Sequence, residues 1–172
     1  MAFSLDSTPS SPTFNCYISL EQAEDYFAGR FGADKWSDFS TAQQQALLVS
    51  ATRDIDNLRF GGSKTDSDQP MSWPRADLQD YDGNEIADDV IPVKLKYAVC
   101  ELALWKWTEE DRWFSDTDLG QISSYKVPGV EVTAKNNPDT LPSIVVGMID
   151  AIGPNVAQLP IKAKAKSMRI GL

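Results

Sequence analysis

The stretch from Ile91 to about Asp111 sets the hardest condition on any fold this chain can adopt. Pro92 suits a first helical position, where its missing N–H would have no intrahelical partner anyway. Ile91, Leu95, Ala98, Val99, Leu102 and Trp105 then fall within a sector of about 120° at 100° per residue. Tyr97, Leu104 and Trp107 project from the opposite side. A helix apolar on two faces must be covered on both, so it is either the centre of a bundle or a wall shared between the core and another chain. The reading favoured here is the shared wall, with Tyr97, Leu104 and Trp107 offered to a neighbouring subunit.

Two shorter amphipathic helices precede it. Ser19 is placed to cap the first, with Gln22 at the third helical position, and Ala23, Tyr26 and Phe27 recur on one side before Gly29 and Gly32. The second begins near Ser40 or Thr41, and Leu47, Leu48, Ala51, Ile55 and Leu58 keep helical spacing to Phe60, where Gly61-Gly62 ends it. From Gln121 the pattern changes: Ile122 to Val127 and Val130 to Thr133 are β-rich and separated by Pro128-Gly129, which predicts a hairpin or bent ribbon at about 121–134. A last helix is expected over Ser143 to Ile152, with Gly147 inside it. The fold class is therefore mainly α, a small helical bundle with a β excursion and extended N- and C-terminal arms. Residues 16–157 form the helical domain; residues 1–15 and 158–172 are the arms.

The arms differ in character. Residues 1–15, with Ser-Thr-Pro-Ser-Ser-Pro-Thr, can bury little of their own and need either a neighbouring subunit or their own domain to order them. Residues 158–172 carry Lys162, Lys164, Lys166 and Arg169 and no acid. This tail holds +4 of a chain whose net charge is −9, which leaves −13 on residues 1–157. The alternating lysines would share one side of an extended segment able to add to an acidic neighbour. Solvation of a free tail is the alternative.

Charge and composition exclude whole classes of function. A surface this negative repels phosphate backbones, which argues against general DNA binding. The chain has no histidine, which removes the commonest general base and metal ligand and every Ser-His-Asp or Cys-His system. Cys16 and Cys100 form no CxxC clip and read as reduced, partly buried small hydrophobes. No apolar run approaches the ~18–20 residues of a membrane helix, so a soluble product made in the cytoplasm, without membrane contact, is expected.

The motifs that invite chemistry have plainer readings. Asp80-Tyr-Asp82-Gly83-Asn84-Glu85 begins like a calcium loop, but Gly stands fourth rather than sixth and Ile91 occupies the position of the bidentate Glu, so a polar turn is the better account. Gly61-Gly62-Ser63-Lys64 lacks phosphate-loop spacing and reads as a linker. Glu109-Glu110-Asp111 reads as a solvated helix end. Trp105, Trp107, Trp113 and Phe114 could stack bases, but three acids lie among them, and core or protein-interface roles fit better. In Pro70-Met-Ser-Trp73-Pro74-Arg75, Pro74 stiffens the loop that presents Trp73 and Arg75; Trp73 is expected to pack on the helices and Arg75 to pair with an acid within the chain or across a subunit boundary. No catalytic residue, cofactor or metal is expected.

Tyr17-Ile-Ser-Leu-Glu-x-Ala23-x-x-Tyr26-Phe27, the Ala46 to Asp56 helix, Gln69-x-x-x-Trp73-Pro74-Arg75, Gly83-x-x-Ile86, Ile91-Pro92 and Ala98-x-x-Glu101-Leu102-Ala103 occur in one order. This order resembles the head-tail adaptor (connector, head-completion) proteins of tailed bacteriophages, whose profile is sometimes labelled DnaT-like single-stranded-DNA binding. The resemblance covers about Tyr17 to Ala103. It implies a homo-oligomeric ring, usually twelve-fold, in the virion neck. The ring would dock on the portal protein, meet the tail or next connector, and let genome DNA pass without specific binding. It also implies that Trp73 and Arg75 fix the loop after the second helix. An acidic channel lining suits such a conduit. The expected function is thus a structural adaptor, with Trp73, Arg75, Tyr97, Leu104, Trp107, Lys162, Lys164, Lys166 and Arg169 as interface candidates. The alternative is a single-stranded-DNA-binding replication accessory module. A third reading, an enzyme using carboxylates alone, requires a pocket with at least two perturbed acids.

Overall fold

The structure, a computed structural model, describes residues 4–108, 125–127, 130–132 and 141–159. In chain order these form α1 (Leu20–Ala28), a 3-10 turn (Asp34–Asp38), α2 (Thr41–Asp56), β1 (Arg59–Phe60), β2 (Ser63–Lys64), β3 (Arg75–Ala76), α3 (Val93–Thr108), β4 (Tyr125–Val127), β5 (Val130–Val132), α4 (Ser143–Asp150) and β6 (Ala157–Gln158). The strands pair only two at a time, all antiparallel, as β1·β6, β2·β3 and β4·β5. The protein is mainly α with small hairpins, as the patterning predicts.

Local chemistry sets the helix starts. Ser19 accepts from the Gln22 N–H, and Ser40 closes a full capping box with Gln43, each side chain satisfying the other's backbone donor. The Pro92 carbonyl accepts from Leu95 and Lys96, opening α3. β4 and β5 face each other across residues 128–129 with Val127 opposite Val130 and Tyr125 opposite Val132, the hairpin expected from Pro-Gly.

α3 is the centre of the bundle, packed by α1, α2 and α4. Its first face, Leu95, Ala98, Val99 and Leu102, is fully buried; each of the larger side chains contributes about 1.5–3 kcal/mol on leaving water. The second face, expected to be a wall shared with another chain, is partly covered from within this one. α1 covers its start, with the Tyr26 and Tyr97 ring centroids 4.7 Å apart. An aromatic chain covers its end: Phe27 lies 4.2 Å from Trp36, Trp36 6.2 Å from Phe39, and Phe39 5.2 Å edge-on to Trp107. Trp36 and Phe39 come from an irregular segment that helical periodicity could not flag.

One boundary is also corrected. α2 stops at Asp56 instead of running to Phe60, because Arg59 and Phe60 are drawn into a ladder with Gln158 and Ala157. Of the two ways left open for ordering residues 4–15, contacts within the chain are seen. The Asp6 carboxylate accepts from the Thr8 N–H (2.9 Å) and the Thr13 hydroxyl (2.7 Å), Asn15 binds the Asp6 N–H and the Ser4 carbonyl, and Phe14 is buried. Hydrogen bonds from Ser11 and Thr13 lower the Asp6 pKa to about 2.

Candidate nucleic-acid interface

Trp73 and Arg75 both face inward. The Trp73 indole is completely buried, with its ring edge-on to Phe60 at 5.7 Å and its N–H without a protein partner. Arg75 donates to three carbonyls: Gly61 from Nε (2.5 Å), Ser72 from Nη1 (3.0 Å) and Gly62 from Nη2 (3.0 Å). Asp56 braces the same loop, accepting from the Tyr17 hydroxyl and the Ser72 N–H and giving its carbonyl to the Ser72 hydroxyl. Trp73, fully buried, therefore offers no surface to a partner, whereas Arg75 is half-buried. The arginine is a clamp on loop backbone, where an acid had been expected as its partner.

The candidates on α3 separate. Leu104 is buried in the core, so it offers nothing to a partner. Trp107 is half-buried against Phe39. Tyr97 keeps 39% of its surface exposed. Lys162, Lys164, Lys166 and Arg169 lie outside the described residues, as do Trp113, Phe114 and Glu109-Glu110-Asp111.

Around Tyr97 the structure gathers a surface that the sequence reading missed. Lys94 and Lys96 flank it on the first turns of α3; Lys94 Nζ reaches the Ala151 carbonyl (2.5 Å) and Lys96 Nζ the Gln22 side chain (3.3 Å). Beneath it Glu101, with a side chain only 3% exposed, accepts from Tyr26 Oη (2.6 Å), Arg30 Nε (2.5 Å) and Arg30 Nη2 (3.1 Å). Burial pushes the Glu101 carboxyl up, but the Arg30 and Tyr26 hydrogen bonds and the Arg30 charge outweigh it and hold it below the usual glutamate range. Burial and the Glu101 contact raise the Tyr26 phenol. Next to Arg30, Phe31 stands 94% exposed between Ala28-Gly29 and Gly32. A lone aromatic and arginine bracketed by glycines was the available signal for this loop.

The remaining motifs are structural. Asp80 accepts from the Asp82 and Asn84 N–H groups and from the Asn84 side chain, the Asx turn of a polar loop. Among the described residues no three potential ligands converge as a metal site, and no helix is long and apolar enough to cross a membrane.

Fold and surface together define a mainly α module with a braced internal loop and an α1–α3 contact tied by Arg30, Tyr26 and buried Glu101. Residues 1–158 match a family model described as a putative DnaT-like ssDNA binding protein, and the chain belongs to that family. No curated protein and no solved structure matches the chain. The family description names single-stranded DNA binding and says nothing of head-tail adaptors, so it overturns the structural-adaptor reading in favour of its alternative.

Proposed function

We propose that this chain is a single-stranded-DNA-binding accessory module that performs no chemistry. Family membership over residues 1–158 is the observation that carries the reading. Two physical features support it. Base stacking on aromatic rings is tolerant of sequence and needs exposed π-surface, which Phe31 supplies in full and Tyr97, between Lys94 and Lys96 on α3, supplies in part. Phosphate contacts need cations unmatched by acids, which residues 158–172 supply. The −13 body opposes close approach of a densely charged duplex more than that of a flexible strand.

Binding should therefore be modest and steep in salt. The test is fluorescence anisotropy of a labelled oligothymidine against the full chain over a salt series. Exchange of Lys162, Lys164, Lys166 and Arg169 for Gln should reduce the log–log salt slope by up to about 3, at ~0.7 per single-strand phosphate contact. Absence of binding by the native chain at low salt would overturn the reading.

A further inference from the structure

We propose that Phe31 is a pre-positioned stacking residue that takes one unpaired nucleobase on its ring; this rests on the single-strand reading above. The ring is 94% exposed, the most exposed large hydrophobic among the described residues. Its backbone is nevertheless held. The Arg30 N–H donates to the Phe27 carbonyl (3.1 Å) and the Ala33 N–H to the Arg30 carbonyl (3.1 Å), closing the turn on both sides of residue 31. Arg30 Nη1 donates to the Phe31 carbonyl (2.5 Å) while Nε and Nη2 of the same guanidinium are anchored on buried Glu101. Gly32 follows at φ +83°, a conformation a side chain would strain. One arginine thus ties the loop tip to the central helix, and the backbone ordering a ligand would otherwise have to impose is already in place.

The form of the site selects its ligand. A protein interface core is a contiguous apolar patch, but the exposed chain neighbours of this ring, Ala28, Gly29, Gly32, Asp34 and Lys35, add no large apolar side chain to it. A solitary ring with both faces open matches a flat, unstacked base. The local charge is not markedly basic, since Asp34 and Asp38 follow three and seven positions on, around Lys35, and Arg30 is already paired. The ring's share of affinity is therefore stacking, insensitive to salt, and separable from the phosphate contacts of the tail.

The experiment uses the full chain, a labelled oligothymidine and a salt series, comparing native protein with Phe31→Ala and Phe31→Trp. Phe31→Ala is expected to weaken binding about 5- to 150-fold, the range of one base–aromatic stack, by the same factor at every salt concentration and with unchanged slope. Phe31→Trp is expected to retain or tighten binding, and ultraviolet cross-linking to place thymine on the peptide containing residue 31. Unchanged circular dichroism is expected for both variants, because the ring buries almost nothing. If the native chain binds and Phe31→Ala binds equally, the stacking proposal is wrong while the single-strand reading stands. If the native chain does not bind, that reading fails and takes this one with it. If Phe31→Ala alters only the sedimenting mass, the ring meets a second copy of the chain, which also overturns the proposal.

Discussion

Replacing Arg30 by Met tests the account of the α1–α3 contact, because it removes the cation and two of the three hydrogen bonds from buried Glu101 while keeping the length of an apolar stem. Breaking a buried ion pair by deleting one partner costs about 3–5 kcal/mol when the survivor is fully enclosed. Here the Arg30 side chain is 34% exposed, so water takes over part of its role, and Tyr26 keeps its bond. The expected loss is about 2 kcal/mol, or roughly 4–8 °C in melting temperature for a chain of this length. The pH dependence carries the sharper signature. In the native protein the Glu101 pKa is held below its unfolded value, so its contribution is present above the ordinary glutamate range and is lost as pH falls through the lower folded value. Without Arg30, burial is left as the dominant influence and the carboxyl moves up; the variant's deficit should then shrink as pH falls and the buried group takes a proton. Urea denaturation of both proteins at pH 7 and pH 4 measures it. A deficit under about 0.5 kcal/mol, the scatter of ordinary surface changes, or one equal at both pH values, refutes the reasoning.

The other structural predictions concern the core and its closures. Cys16 and Cys100 are buried and free, and burial raises both thiols; neither should react with an aromatic disulfide reagent in the native protein at pH 8, while the chain in guanidinium releases two equivalents, and one fast native thiol would contradict this. Gly153 lies against the Asp80 loop so closely that an added Cβ would sit 2.2 Å from the Gln79 carbonyl oxygen. Gly153→Ala should cost about 2–3 kcal/mol in urea denaturation, in the range of core overpacking, and an unchanged midpoint would mean that the contact is not kept in solution.

What could be read in advance follows from the range of the interactions. Ser19, Ser40 with Gln43, and Pro92 mark helix starts through contacts within four residues, and Pro128-Gly129 marks a hairpin whose strands lie side by side in the chain. The β1·β6 ladder joins residues nearly a hundred positions apart through two pairs, and no local pattern announces it. The second face of α3 looked unpartnered because its cover comes from α1 and from Trp36 and Phe39, which lie in a 3-10 turn and a loop without period. The charge of Arg75 points to an acid as partner, yet each of its three nitrogens donates to a carbonyl set by the fold of the loop. Phe31 is hidden in the sequence for the opposite reason. An aromatic at the end of an amphipathic helix suggests core, and only the turn set by Arg30 and Gly32 turns it to solvent.

The most direct test of the central claim titrates the full chain into one labelled strand at low salt, alone and annealed to its complement. The account predicts saturable binding to the lone strand and at least tenfold weaker binding to the duplex. Equal affinity for both, or no binding to either, contradicts it.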